Sequence, residues 1–333
     1  MTALKRRLRA AADFLSGGTG TVFALLIVVF AIILIRDVSF AEPSSLMSFA
    51  RKTAPLVVLA IGQYLVIVAG ELDLSVGSLV GFQVVLAALL IDGQESRTIP
   101  VLLLMFGIGA LVGLVNGLIT TLLKVPSIIT TLGMMLVLFG AIRLLTGGAP
   151  TGSLSEGFRV AGRRGIDIPG FAMVPWSVLI VVALGVAAAW TMRSAYGRTL
   201  MAVGDNPRAS ALSGVRVWQV RTLAFVGSGI LATGAAVLVG GFAGVTAQVG
   251  QGMEFVAITA VVLGGVVLGG GRGTVLAAIA GAVTVEALFT LFNQLELPST
   301  IRPTAQGLII IAAVGYAARE RIRRQPTPRL KSP

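Results

Sequence analysis

Two carboxylates, Glu71 and Asp73, stand in the stretch AGELDLSVGS (69–78), between the apolar runs 56–69 and 79–91. An ionised group at membrane depth costs about 2.5 kcal/mol or more. The stretch is therefore expected to be a break between helical segments, turned toward protein or water rather than lipid. Gly70 and Gly77 bracket it, and Ser75 and Ser78 can satisfy freed backbone groups. Two uses are open to these residues. In one, Gly70, Glu71, Asp73, Ser75 and Gly77 shape a translocation pathway or gate. In the other, Asp73 caps the following helix at the positive end of its dipole, and Glu71 pairs with a cation such as Arg272. The polar residues Gln63, Gln83, Asn116, Thr131 and Glu286 also fall inside apolar runs. They line a pathway or bond between helices.

A second constellation is YGRTLMAVGDNPRASALSGVRVWQVR (196–221). It reads as two short helices, 198–203 and 207–212, on either side of Gly204, Asp205 and Asn206. Asp205 or Asn206 would cap the second, Pro207 suits its first position, and Gly214 suits its stop. Arg208 and Leu212 lie on this second piece among the small residues Ala209, Ser210, Ala211 and Ser213. That composition suits docking into a groove of another protein, with a solvated loop as the alternative.

Other chemistries are excluded. The chain has no cysteine and no histidine, which removes thiolate nucleophiles, imidazole relays and nearly all zinc sites. GGGRGT (269–274) is not a phosphate loop, because no Gly-Lys pair exists anywhere in the sequence. Its glycines suit close packing or a tight turn. No catalytic constellation or metal-ligand spacing is visible, and the chain is expected to be no enzyme.

These residues must be held by membrane helices. Hydrophobic residues make up 56% and charged residues 12% of the 333, with a mean hydropathy of +0.94. A soluble domain carries about twice that share of charge. One all-α polytopic domain over 1–333 is expected, with spans near 21–35, 54–69, 76–91, 99–122, 127–146, 175–192, 222–240, 254–268, 274–292 and 304–317. The first span is read as retained rather than as a cleaved signal. The polar pieces 36–52, 147–174 and 241–252 would then lie outside.

The formal charge of +12 is concentrated in 1–20, in 193–221 and in the tail 318–333. Six crossings from a cytoplasmic N-terminus bring 193–221 back to the cytoplasm, where the positive-inside rule also places its arginines. Both termini are expected there. Anionic lipid headgroups account for this charge more simply than nucleic acid does. A weak internal repeat sets GELDLSVGS (70–78) against GGVVLGGGRG (264–273), with Gly70 on Gly264. Repeated broken helices of this kind are common in transporters.

AGELDLSVGS resembles the GGIDLSVGS signature of bacterial ABC-importer permeases for ribose, galactose, xylose and related simple sugars. NGLITTLLKVPSIITTLGMMLVLFGAIRLLTGG (116–148), AVGDNPRASALSGV (202–215) and VLGGVVLGGGRGTV (262–275) are similar to that family's other motifs, in order, over about 54–315. The resemblance implies a bacterial inner-membrane subunit that pairs with a second permease copy or paralogue around a central pathway. It implies a periplasmic sugar-binding protein that delivers solute, and a cytoplasmic ATPase that contacts 202–215. ATP and magnesium would bind that ATPase, leaving this chain without a cofactor. Ala69 and Glu71 depart from the family's Gly and Ile, and Arg208 and Ser210 from its commoner Glu and Ala. A secondary transporter with Glu71, Asp73 and Glu286 as coupling carboxylates is the alternative.

Overall fold

A computed structural model of the chain describes residues 18–149, 152–246, 248–298, 300–301, 303–305, 307–309 and 311. Up to Gln294, twelve α-helices and one small hairpin are described. The helices are α1 (Gly18–Arg36), α2 (Pro43–Val68), α3 (Val76–Ile91), α4 (Thr98–Leu122), α5 (Ser127–Thr146) and α6 (Glu156–Arg163). They continue as α7 (Trp176–Arg193), α8 (Ala195–Asp205), α9 (Pro207–Leu212), α10 (Val217–Ala243), α11 (Met253–Leu263) and α12 (Val275–Gln294). Strands β1 (Gly165–Asp167) and β2 (Met173–Pro175) pair antiparallel between α6 and α7. The fold is thus an all-α polytopic membrane protein.

Helices α2, α4, α5, α7, α10 and α12 are long and apolar enough to cross a membrane, while α1, α3 and α11 are apolar but shorter. They occupy the first nine of the ten expected spans. Most of the tenth, together with the basic tails 1–17 and 318–333, lies outside the described residues.

Helix α10 is the centre of the bundle and lies along α4 and α2. Small residues make this approach possible. Gly109, Gly113 and Gly117 repeat every fourth residue on α4 and meet the backbone of α10. A Cβ on Gly113 would stand 2.7 Å from the Phe225 carbonyl carbon, and one on Gly117 would stand 2.7 Å from Thr222 Cα. Between membrane helices, where lipid is as apolar as leucine, such backbone proximity supplies much of the association energy. The apolar stretch of α2 is 83% buried, whereas that of α7 is only 6% buried, so α2 is core and α7 lies at the periphery of the bundle. Helix α1 packs on α12 through Val29, Ile33, Ala287 and Leu291, with Phe30, Phe40 and Phe49 edge to face beside them.

Two of the polar connecting pieces join the helical framework. Residues 43–52, expected outside the membrane, form the first turns of α2, started by Pro43 at a position where a missing N–H costs nothing. Lys52 on those turns pairs with Glu286 of α12 at 2.8 Å. The other piece is 241–252. Its first residues finish α10, and its last ones pack against α3, with a Cβ on Gly250 only 2.7 Å from Gly81 N.

Candidate functional site

Helix α2 ends where the chain reaches Gly70. The Gly70 N–H donates to Ile67 O (2.9 Å) and the Glu71 N–H to Val66 O (3.1 Å), a helix stop that needs the left-handed φ of +84° found at Gly70. The chain then runs without helix to Ser75, and three of its backbone donors are met by side chains. Leu72 N donates to Ser127 Oγ (3.2 Å) and Leu74 N to Thr131 Oγ1 (3.0 Å), both on α5. Ser75 N donates to Asp73 Oδ1 (3.0 Å). Unmet donors at this depth would each cost several kcal/mol.

Asp73 is the knot of the break. Its Oδ1 also accepts from Ser75 Oγ (2.6 Å), and its Oδ2 accepts from Ser228 Oγ of α10 (3.1 Å). Ser75 Oγ in turn accepts from Asn116 Nδ2 of α4 (2.9 Å). Asp73, Ser75, Asn116 and Ser228 are all buried. The carboxylate therefore ties the break to α4 and α10, and within this chain it opens on no surface. Gln63 is buried nearby on α2, and neither end of its amide has a hydrogen-bond partner among the described residues. Gly77, in the first turn of α3, is pressed against the 250 region. A Cβ there would overlap a Glu254 carboxylate oxygen and stand 2.6 Å from Gly250 O.

Glu71 does not meet Arg272. It pairs with Arg221 of α10 at 2.5 Å, and both side chains are mostly shielded. Arg272 instead approaches Asp205 at 4.0 Å, where both are well exposed. Reversing one charge in Glu71→Arg is expected to cost about 2 kcal/mol of stability, because it leaves two shielded cations together. Adding Arg221→Glu should recover part of that. Thermal unfolding of the two variants in detergent checks this.

The second break repeats the first. Helix α11 ends as α2 does: Gly265 N donates to Val262 O (2.9 Å) and Val266 N to Val261 O (3.3 Å), with φ +82° at Gly265. Gly70 therefore corresponds to Gly265, one residue beyond the expected Gly264. The breaks also differ in length: α3 resumes at Val76, while α12 resumes only at Val275, where Thr274 Oγ1 caps it from Ala277 N (3.2 Å). The extra residues are the glycine-rich GGGRG, which folds back on the first break. Gly271 N donates to Val68 O at 2.9 Å, and a Cβ on Gly270 would stand 2.9 Å from Gly70 Cα.

Into this meeting of breaks comes Gly204, the penultimate residue of α8. A Cβ on it would overlap Val68 O and lie 2.6 Å from Gly271 N. Two intervening residues, Asp205 and Asn206, lead to α9, which begins at Pro207. Asn206, rather than Asp205, caps it by accepting from Ala209 N (2.9 Å), and Pro207 takes the first position. Gly214, at φ +84°, ends it: Gly214 N donates to Ala211 O (3.0 Å) and Val215 N to Ser210 O (3.1 Å). Helix α9 projects outward with Arg208, Ala209, Leu212 and Ser213 exposed, and Leu212 is 86% exposed. Beside it, a cleft of about 510 Å³ is lined by Glu71, Thr120, Lys124, Ala211, Trp218 and Arg221.

A projecting helix thus stands two residues from a point where both helix breaks touch. Over residues 45–314 the chain matches the family described as branched-chain amino acid transport system, permease component. It belongs to this family of ABC-importer permeases. The chain is 32% identical over 316 residues to the galactose/methyl galactoside import permease protein MglC of Escherichia coli, covering 89% of this chain and 92% of that one. It is also 32% identical to the autoinducer 2 import system permease protein LsrC of an Enterobacter species, covering 88% and 84%. The LsrC protein of Yersinia pestis is 29% identical, covering 91% and 85%. No solved structure matches.

Membership counts against the ion-coupled alternative, and the geometry agrees. Glu71 pairs with Arg221, Glu286 with Lys52, and Asp73 with hydroxyls and a backbone N–H, at separate places in the bundle. The permease's residues that pattern-reading did not single out are Ser228, Arg221 as the partner of Glu71, and the Gly109/Gly113/Gly117 stripe. The last had a visible signal in its four-residue spacing.

Proposed function

We propose that this ABC permease subunit carries a simple sugar or related polyol inward by alternating access. One relative is named for galactose and methyl galactoside import and another for autoinducer 2 import, and the motifs resemble those of simple-sugar permeases. In this reading a separate ATPase binds ATP and magnesium and grips α9, while a periplasmic binding protein delivers the solute on the opposite side. A second permease copy or paralogue completes the pathway. The arginines of 193–221 support a cytoplasmic position for α9, and with it cytoplasmic termini. Anionic lipid would neutralise the remaining basic charge.

The observation that carries this reading is the contact of Gly204 with both breaks. A push on α9 is delivered through two residues of chain to Val68 and Gly271, and so to the ends of α2 and α11 together. Closure of the ATPase would rock the two broken elements against α10. Gly70, Glu71, Asp73, Ser75, Gly77, Gln63 and Asn116 would then act mainly as the framework of the gate, while Gly204 to Gly214 act as the lever.

Leu212→Asp tests the lever without touching the core. The chain should fold as before, lose copurification with its ATPase, and lose ATP-driven uptake by about tenfold or more, since buried apolar anchors dominate interface energy. Undiminished ATPase binding and uptake would remove α9 from the coupling role.

A further inference from the structure

Exposed apolar residues on α5 and α7 need no explanation beyond lipid, but one exposed polar segment does. Helix α11 has eleven residues, about 16 Å at 1.5 Å per residue, roughly half of a 30 Å hydrocarbon core. Its last turn leads directly into the second break, which is fastened to Val68 and Gly204 beside the arginine-rich segment. With 193–221 on the cytoplasmic side, as proposed above, its first residue, Met253, lies about halfway across the membrane. Packing against the first turns of α3 holds 249–250 inside the bundle beside the first break. A Cβ on Gly77 would stand 2.6 Å from Gly250 O, and Gly77 is only two residues beyond the end of the first break.

The chain at 248–251 is not helical. Its bonds are isolated turns, Gln251 N to Gln248 O (3.1 Å) and Met253 N to Gly250 O (3.1 Å), and the Gln248 and Gln251 side chains are both exposed. Irregular backbone with exposed amides does not face hydrocarbon, since nothing there can bond to it. It can stand only against protein or against water. Just behind it, Glu254 is buried with one carboxylate oxygen unpartnered among the described residues, so the surroundings remain polar.

We infer that 248–251 lines the aqueous solute route at mid-membrane, where Gln248 and Gln251 offer amide donors and acceptors to the hydroxyls of a neutral polyol. Neither side chain is charged, which suits a sugar and not an anion. The choice of solute class rests on the permease reading above. The mid-membrane depth rests on the cytoplasmic placement of 193–221 in that reading, and the need for water or protein at 248–251 rests on its irregular backbone.

The chain's lack of cysteine provides the test. Gln248→Cys, Gln251→Cys and, on the exposed apolar face of the membrane-spanning helix α7, Val186→Cys are made singly. Each is assembled with its ATPase in liposomes and treated with the water-soluble, membrane-impermeant, non-anionic reagent 2-(trimethylammonium)ethyl methanethiosulfonate. Modification at 248 and 251 should be at least about tenfold faster than at 186, because the reagent requires water and a thiolate. Equally slow modification at all three positions would overturn the assignment.

In a second arm, Gln251→Ala should lower subsaturating uptake of whichever of galactose, ribose or xylose is carried by about five- to tenfold, the loss of one hydrogen bond. Fast modification with unchanged uptake would overturn the sugar contact and leave the lining standing. Failure of the unsubstituted assembly to carry any of the three sugars would count against the sugar reading, while the labelling result would still decide the lining.

Discussion

Gly204→Ala is expected to cost this permease most of its ATP-driven transport and about 3 kcal/mol or more of stability. The added methyl group would overlap Val68 O and approach Gly271 N to 2.6 Å. Both are backbone atoms, which cannot swing aside as a flexible side chain would. Overpacking of a well-filled site usually costs 1–3 kcal/mol, and backbone contact on two sides sets this case at the upper end. The hydrogen bond from Gly271 N to Val68 O lies in the same place and would be strained with it. Two measurements check this: the thermal midpoint in detergent, and uptake per assembled complex in liposomes. Normal stability and normal uptake would mean that the breaks and α8 move independently.

Asp73→Ala should be at least as damaging to stability by a different route. It removes the acceptor of three hydrogen bonds and leaves the Ser75 N–H, the Ser75 hydroxyl and the Ser228 hydroxyl buried without it. At about 1–3 kcal/mol for each buried group left unmet, some recovered by rearrangement, a loss of about 3–5 kcal/mol follows. Asp73→Asn keeps one acceptor oxygen and should lose roughly half as much. Thermal unfolding of the pair provides the comparison. If alanine at 73 leaves stability intact while abolishing uptake, Asp73 acts on solute rather than on the framework.

Much of this site is legible in the sequence because local rules govern it. Carboxylates between apolar runs announce the break at 69–75, and Asn206, Pro207 and Gly214 announce α9 with its cap, first turn and stop. These signals act within a few residues. The partner of Glu71 is a tertiary fact: Arg221 and Arg272 are equally cationic, and only the path of α10 decides between them. The repeat register slips by one because Gly264 and Gly265 are adjacent glycines, and the hydrogen bonds that end α11 choose the second. The position of 249–250 follows from the shortness of α11. A hydropathy pattern alone reads that shortness as a full span with a broken end.

The account stands or falls on what drives the movement of solute. The most direct measurement is uptake of labelled galactose, ribose and xylose into liposomes. The vesicles hold the permease with its ATPase and receive the binding protein from outside, with internal ATP fixed and ion gradients collapsed by ionophores. We expect uptake of one sugar that requires internal ATP and the ATPase, persists without any ion gradient, and disappears in Leu212→Asp. Uptake that follows a proton or sodium gradient and ignores ATP would contradict the account.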